Sequence, residues 1–218
     1  MKKKPLQKAF SELNAAHRSL IEMKRASKFE AIEEKWENFL QNLDRIWGKV
    51  QAEHKTNNEF YKWNEKYKSE REIDELLVYL NRVRNATEHS IQDTLNHQKW
   101  GIELNPTTKG GPLHIKNIEM KDGIMKITPG ETPIKVELKP SKAALLPVTN
   151  RGTEFLPPSQ HQGAQKEFGA FSAADSGFEY YQRYLENLDK EQRSLFQPGV
   201  WGNACYAPLH WHRLNLTL

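Results

Sequence analysis

Six consecutive residues, Arg84-Asn85-Ala86-Thr87-Glu88-His89, put a permanent cation, a carboxamide and an imidazole on one short stretch. A guanidinium can grip a phosphodiester through its planar fork, and an imidazole titrates near neutrality and so can take or give a proton. A carboxamide can orient either partner by hydrogen bonding. Such a set suits transesterification within RNA. A base removes the proton of a ribose 2′-OH, the oxygen attacks the adjacent phosphorus, and an acid protonates the leaving 5′-oxygen. In that chemistry Arg84 would offset the growing negative charge, Asn85 would orient His89 or the phosphate, and Glu88 could tune the imidazole. His89 suits either proton role.

Spacing restrains this reading. On a helix, Asn85 and His89 lie about 40° apart and share a face, whereas Arg84 and His89 are separated by roughly 140°. Arg84 also stands four residues before Glu88, an ordinary exposed ion-pair spacing worth only about 0.3–0.5 kcal/mol. Taken alone, the spacing fits an Arg–Glu pair, a surface Asn and an internally bonded His at least as well. Two copies of the helix meeting across a two-fold axis would remove the objection, since both copies of each residue would then surround one cleft.

Other chemistry-bearing residues are less organised. Lys62, Trp63, Lys66 and Tyr67, with Tyr61 and Lys68, form a basic-aromatic cluster able to stack bases and meet phosphates. Core aromatics flanked by solvated lysines would look the same. His210 and His212 would share one face of a strand, but only Cys205 stands near them, so no metal site is expected. His17 falls on an apolar stripe and reads as a core histidine. Gly110-Gly111 and Pro129-Gly130 are turns rather than phosphate loops, and no nucleotide cofactor is expected.

The elements that would hold the motif are visible as periodicity. Leu6, Phe10, Leu13, His17, Leu20 and Ile21 outline a helix over about 5–26. Phe29, Ile32, Trp36, Phe39, Leu43, Ile46 and Val50 recur by three and four, one unbroken stripe over 28–53. After a break at Thr56-Asn57-Asn58 comes a short helix, then another from near Glu70 with Ile73, Leu76, Leu77, Leu80 and Val83 inward. Four such segments with short joins predict an antiparallel bundle over residues 1–104.

With its flanks, Leu80 to Ile91, the motif resembles the Arg-Asn-x-x-x-His signature of HEPN domains (higher eukaryotes and prokaryotes nucleotide-binding). The resemblance runs from about Pro5 to Ile91 and more loosely over 178–195. It implies a helical bundle, a homodimer with a composite site, and a metal-independent endoribonuclease at Arg84, Asn85 and His89. RNA would be its substrate, and a toxin or anti-phage defence role, restrained by an antitoxin or other regulatory protein, would follow. The alternative it leaves is an inactive HEPN dimer that binds nucleotide, RNA or a partner protein.

Beyond Trp100 the period changes. The turn cluster 105–112 is followed by alternating runs over 113–120, 123–128 and 134–138, which predict a small antiparallel β meander within 105–156, leaning on the helices. Residues 157–177 are rich in Pro, Gly, Ser, Gln and Ala and read as a linker. Phe178, Tyr181, Leu185, Leu188 and Leu195 predict a helix over 178–195 that packs back on the bundle; with the tail it forms the last segment, 178–218. The fold class expected is therefore α+β.

Bulk properties set outer bounds. The 218 residues carry a formal charge of +4 and are 28% charged, a globular composition that permits a nucleic-acid partner without arguing for one. A single cysteine forbids an intrachain disulfide. Lysines 2–4 precede no apolar run, and no stretch approaches a membrane span, so a cytoplasmic protein is expected.

Overall fold

In a computed structural model the described residues are 6–89, 92–99, 101–108, 111–122, 124–131, 133–139 and 141–195, less the side chains of 88, 89, 138, 139 and 193–195. The fold is α+β: among the described residues there are five helices and several two-stranded antiparallel ladders.

Helices α1 (Gln7–Arg25) and α2 (Phe29–Glu53) form a hairpin. The backbone N–H of Leu6 donates to both Glu53 carboxylate oxygens, at 2.9 and 3.1 Å, which ties the start of α1 to the end of α2. The α2 stripe is as periodicity predicts: Trp36, Phe39, Leu40, Leu43, Ile46 and Val50 are all buried. In α1 the buried line is Ala9, Leu13, Ala16, Leu20 and Met23, so the inward face is rotated slightly toward small residues. His17 lies at its margin, stacked on Phe178 at 5.0 Å, and burial followed by the Lys24 charge lowers its pKa.

Helix α3 (Asn58–Ile73) starts at a cap, the Asn57 side chain accepting from the Phe60 N–H at 3.1 Å. Helix α4 (Glu75–His89) follows after one residue, Asp74, whose carboxylate accepts from the Leu77 N–H at 3.1 Å. The sequence placed this boundary near Glu70. Four residues, 70–73, therefore belong to the third helix rather than the fourth, and Ile73, read as an inward position, is instead exposed at the end of α3.

The β segment differs from a meander. Strand β1 (Leu95–Gln98) pairs with β6 (Lys142–Leu145), β2 (Gly101–Pro106) with β5 (Ile134–Lys139), and β3 (Ile115–Lys121) with β4 (Ile124–Pro129). The pairs are nested, so the chain runs outward and returns beside itself as a two-stranded ribbon. Among the described residues its base is where it is gripped. Leu95, Ala143 and Leu145 enter the core, His97 stacks on Phe29 at 4.9 Å, and the Tyr79 hydroxyl donates to the Leu146 carbonyl at 2.7 Å. The main packing partners of β2 and β5 are each other, as are those of β3 and β4, so the expected lean on the helices does not extend along the ribbon.

Two short hairpins follow: β7 (Val148–Asn150) with β8 (Thr153–Phe155), and β9 (Gln160–His161) with β10 (Ala164–Gln165). The last helix, α5 (Ala170–Leu195), starts eight residues before the predicted position. Its first turns carry Ala170, Ala173, Ala174 and Gly177, whose smallness reads as linker composition but serves close packing. A Cβ on Gly177 would stand 2.7 Å from a Leu80 methyl, so α4 and α5 approach closely there. Further along, Tyr180, Tyr184, Leu185 and Leu188 complete the core. Among the described residues no helix is long and apolar enough to cross a membrane.

Candidate functional site

Helix α4 is the enclosed centre of the molecule: none of its residues from Glu75 to Thr87 is exposed. Arg84 sits near its C-terminal end with its side chain 24% exposed. One guanidinium nitrogen, Nη2, meets Asp44 Oδ2 of α2 at 3.1 Å, and Nη1 donates to the Asn85 carboxamide oxygen at 2.9 Å. The Thr87 hydroxyl donates to the Arg84 carbonyl at 2.9 Å. Arg84 is thus anchored across the helix–helix joint by Asp44, a residue 40 positions earlier that local spacing could not nominate. Accepting from Arg84 leaves the Asn85 amide group as a donor. Glu88 and His89 fall in the last turn of α4, but their side chains lie outside the described residues. Cys205, His210 and His212 lie outside them as well. Among the described residues no three His, Cys, Asp or Glu side chains gather as a metal ion would need.

Arg84 lines one of two neighbouring hollows. The narrow one, between α2, α4 and α5, is walled by Leu40, Asp44, Leu80, Arg84 and Tyr181, with a volume near 10 Å³. That is about the space of one water. The larger one, about 410 Å³, opens between α2, α3 and α4, and the two share Arg71 and Asn81. Only the second is of ligand size.

The basic-aromatic cluster is split by the fold. Tyr67 is 6% exposed; Trp63 packs against it at 4.8 Å and against Tyr184 at 6.0 Å, while the Tyr67 hydroxyl accepts from the Asn187 amide at 3.2 Å. These rings weld α3 to α5. Lys62 stands on the surface paired with Glu59 at 2.9 Å, and the Lys66 ammonium lies 4.6 Å from the centre of the Tyr67 ring. Tyr67 is thus a core ring, Trp63 is partly buried against it and Lys62 faces outward, as on a helix with one face in the core.

The sequence missed a second polar assembly, at the opposite end of α4. His161 Nδ1 lies 2.9 Å from Asp74 Oδ1, and the Gln162 N–H donates to Asp74 Oδ2 at 2.7 Å. The Ser159 N–H and hydroxyl donate to one Glu75 oxygen at 2.9 and 3.0 Å, and the Gln160 amide donates to the other at 2.8 Å. Burial of Asp74 opposes its charge, but the bonds from His161, Gln162 and Leu77 outweigh it, so its carboxyl titrates below the usual value. The Ser159 donors do the same for Glu75. Residues 157–165, read as linker, are therefore a clamp on the N-terminus of α4. An Asp-Glu pair opening a helix is the only signal that could have hinted at it. His54 was also passed over; its Nδ1–H donates to the Val50 carbonyl at 2.9 Å, its other ring nitrogen meets the Gln192 amide, and the ring stacks on Phe60 at 4.4 Å.

No protein-family model, curated protein or solved structure matches this chain.

Proposed function

We propose that the protein is a metal-independent endoribonuclease of HEPN type, with residues 6–89 and α5 forming its helical bundle. The observation that carries the reading is Arg84, held half-buried by Asp44 and Asn85 five residues before His89, in a small hollow that shares Arg71 and Asn81 with a ligand-sized cleft. In this account Arg84 grips the scissile phosphate and offsets charge as the 2′-oxygen attacks phosphorus. The P–O5′ bond breaks, leaving a 2′,3′-cyclic phosphate and a 5′-hydroxyl. His89 carries a proton, either from the 2′-OH or to the 5′-oxygen, and Asn85 orients the participants.

The working unit is a homodimer. Because α4 is enclosed along most of its length, the two-fold contact falls at its C-terminal end and on the neighbouring surfaces of α2, not along the helix face. RNA is the substrate, and a toxin or defence role restrained by an antitoxin-like protein suits such an enzyme. The Asp44 contact favours one other reading: a guanidinium engaged by a carboxylate could serve an inactive dimer that binds nucleotide, RNA or a partner protein.

Arg84→Ala and Arg84→Lys separate the two. The ribonuclease reading expects Arg84→Ala to lose roughly two to three orders of magnitude in RNA cleavage while remaining folded and dimeric. Arg84→Lys should recover little, because an ammonium lacks the planar fork. Unchanged cleavage by both variants would overturn the assignment of Arg84. A monomer by light scattering at high micromolar concentration would overturn the composite site.

A further inference from the structure

We infer that the 410 Å³ cleft between α2, α3 and α4 binds one nucleotide unit of the RNA strand, its base held by carboxamides and its single phosphate by Arg71 and Lys68. This deepens the ribonuclease reading and rests on it for the source of the nucleotide.

The cleft is built by helical spacing. Tyr61, Asn64, Lys68 and Arg71 recur by three and four along α3, so they line one wall together. Trp47 and Gln51, four apart on α2, form the facing wall, and Asn81 of α4 closes one side. Three carboxamides thus converge on one space. A carboxamide offers a donor and an acceptor side by side, the complement of a base edge such as that of adenine. Two of the three support such a role. The Gln51 amide nitrogen is buried and has no hydrogen-bond partner among the described residues, an arrangement that costs free energy unless a ligand or solvent satisfies it. Asn64 is 3% exposed and its oxygen accepts from the Tyr184 hydroxyl at 3.0 Å, which fixes its orientation and leaves its amide group as a donor.

The cationic side is preorganised. The Arg71 guanidinium lies 4.1 Å from the Trp47 ring centre and 5.9 Å from that of Tyr181. Two aromatic rings hold it in place, so little rotamer freedom remains to be lost on binding. Lys68 is more exposed and has Glu65 at 3.7 Å. Glu65 and Glu72 also border the cleft, so two carboxylates balance its two cations. That balance suits one phosphate and disfavours a triphosphate. Continuity with Arg84 sets the register. Asn81 and Arg71 line both hollows, and Asn81 precedes Arg84 by one helical turn. A strand whose scissile phosphate lies at Arg84 would place a neighbouring nucleotide in the cleft.

The test is calorimetric titration of the whole protein with AMP, ATP and adenosine, using wild type, Gln51→Leu, Lys68→Ala and Met120→Ser. The expected result is saturable AMP binding, with ATP no tighter and adenosine weaker. Gln51→Leu should weaken AMP about ten-fold or more by removing the unmatched donor. Lys68→Ala should weaken AMP but not adenosine, and Met120→Ser, on the distant ribbon, should bind AMP as wild type does. Melting curves confirm that each variant is folded. Absence of AMP binding up to about 5 mM, or binding indifferent to both cleft substitutions in folded protein, overturns the cleft assignment. If RNA is still cut in that case, the ribonuclease reading survives alone. If AMP binds as described and no RNA is cut, the cleft stands and the ribonuclease reading falls.

Discussion

The helical body and the β ribbon solve the burial problem in opposite ways. In the body, α4 is surrounded on every side, and polar groups at both its ends are matched: Asp74 and Glu75 by the 157–165 clamp, Arg84 by Asp44 and Asn85. In the ribbon, residues directly opposite each other share a face, and one face collects the apolar side chains. Ile102, Leu104, Val136 and Ile134 alternate with Glu103, Asn105, Glu137 and Lys135. Nearer the tip Ile118 and Met120 oppose Ile127 and Met125, whereas Glu119 opposes Lys126. Yet Ile118 is 49% exposed, Val136 50% and Met120 71%. A lone two-stranded ribbon has no second layer to bury such a face. The comparison teaches that dense burial and matched polar groups, which position chemistry, reside in the body, while the ribbon carries uncovered apolar surface.

Stability measurements can break or sharpen that contrast. Trp36 is fully buried at the centre of the α2 stripe, so Trp36→Ala should cost about 3–5 kcal/mol, read as a shift of the urea midpoint. At the clamp, Asp74→Ala removes a helix cap and should cost about 1–2 kcal/mol at neutral pH. The acid dependence follows from direction. Asp74 and Glu75 titrate below their ordinary values in the folded protein, so the unfolded chain binds protons first as pH falls. Their stabilisation is therefore full well above about pH 4 and lost as pH drops through the lower native values. The gap between wild type and Asp74→Ala should close in that window; a gap constant down to pH 2 would contradict the clamp. Smallest of all, Met120→Ser at the ribbon tip should change stability by less than about 0.5 kcal/mol. A cost near that of a core residue would mean that the ribbon face is covered in solution.

The same contrast explains what could be read ahead of the structure. The α2 stripe was legible because seven large apolar residues repeat at helical spacing with nothing to interrupt them. The α3–α4 boundary was not, because one residue, Asp74, makes the break, and its partners His161 and Gln162 are more than 80 positions away. The start of α5 hid behind small residues that resemble a linker until Leu80 is seen against Gly177. In the ribbon, alternation announced the strands but not the nested pairing, which depends on which runs meet. At the candidate site, the residue types were plain on the page. The Arg84–Asp44 contact and the cleft between α2, α3 and α4 were not, since both join separate helices.

The central claim is that Arg84, Asn85 and His89 cut RNA without a metal, and one assay addresses it most directly. Wild type and His89→Ala are incubated with a mixed-sequence RNA in excess EDTA over pH 6–9, and the ends of the products are analysed. The account predicts cleavage by wild type to 2′,3′-cyclic phosphate ends, dependence on the 2′-OH, and a loss of roughly two to four orders of magnitude in His89→Ala. Equal cleavage by both proteins, or none by either across several RNA pools, would contradict it.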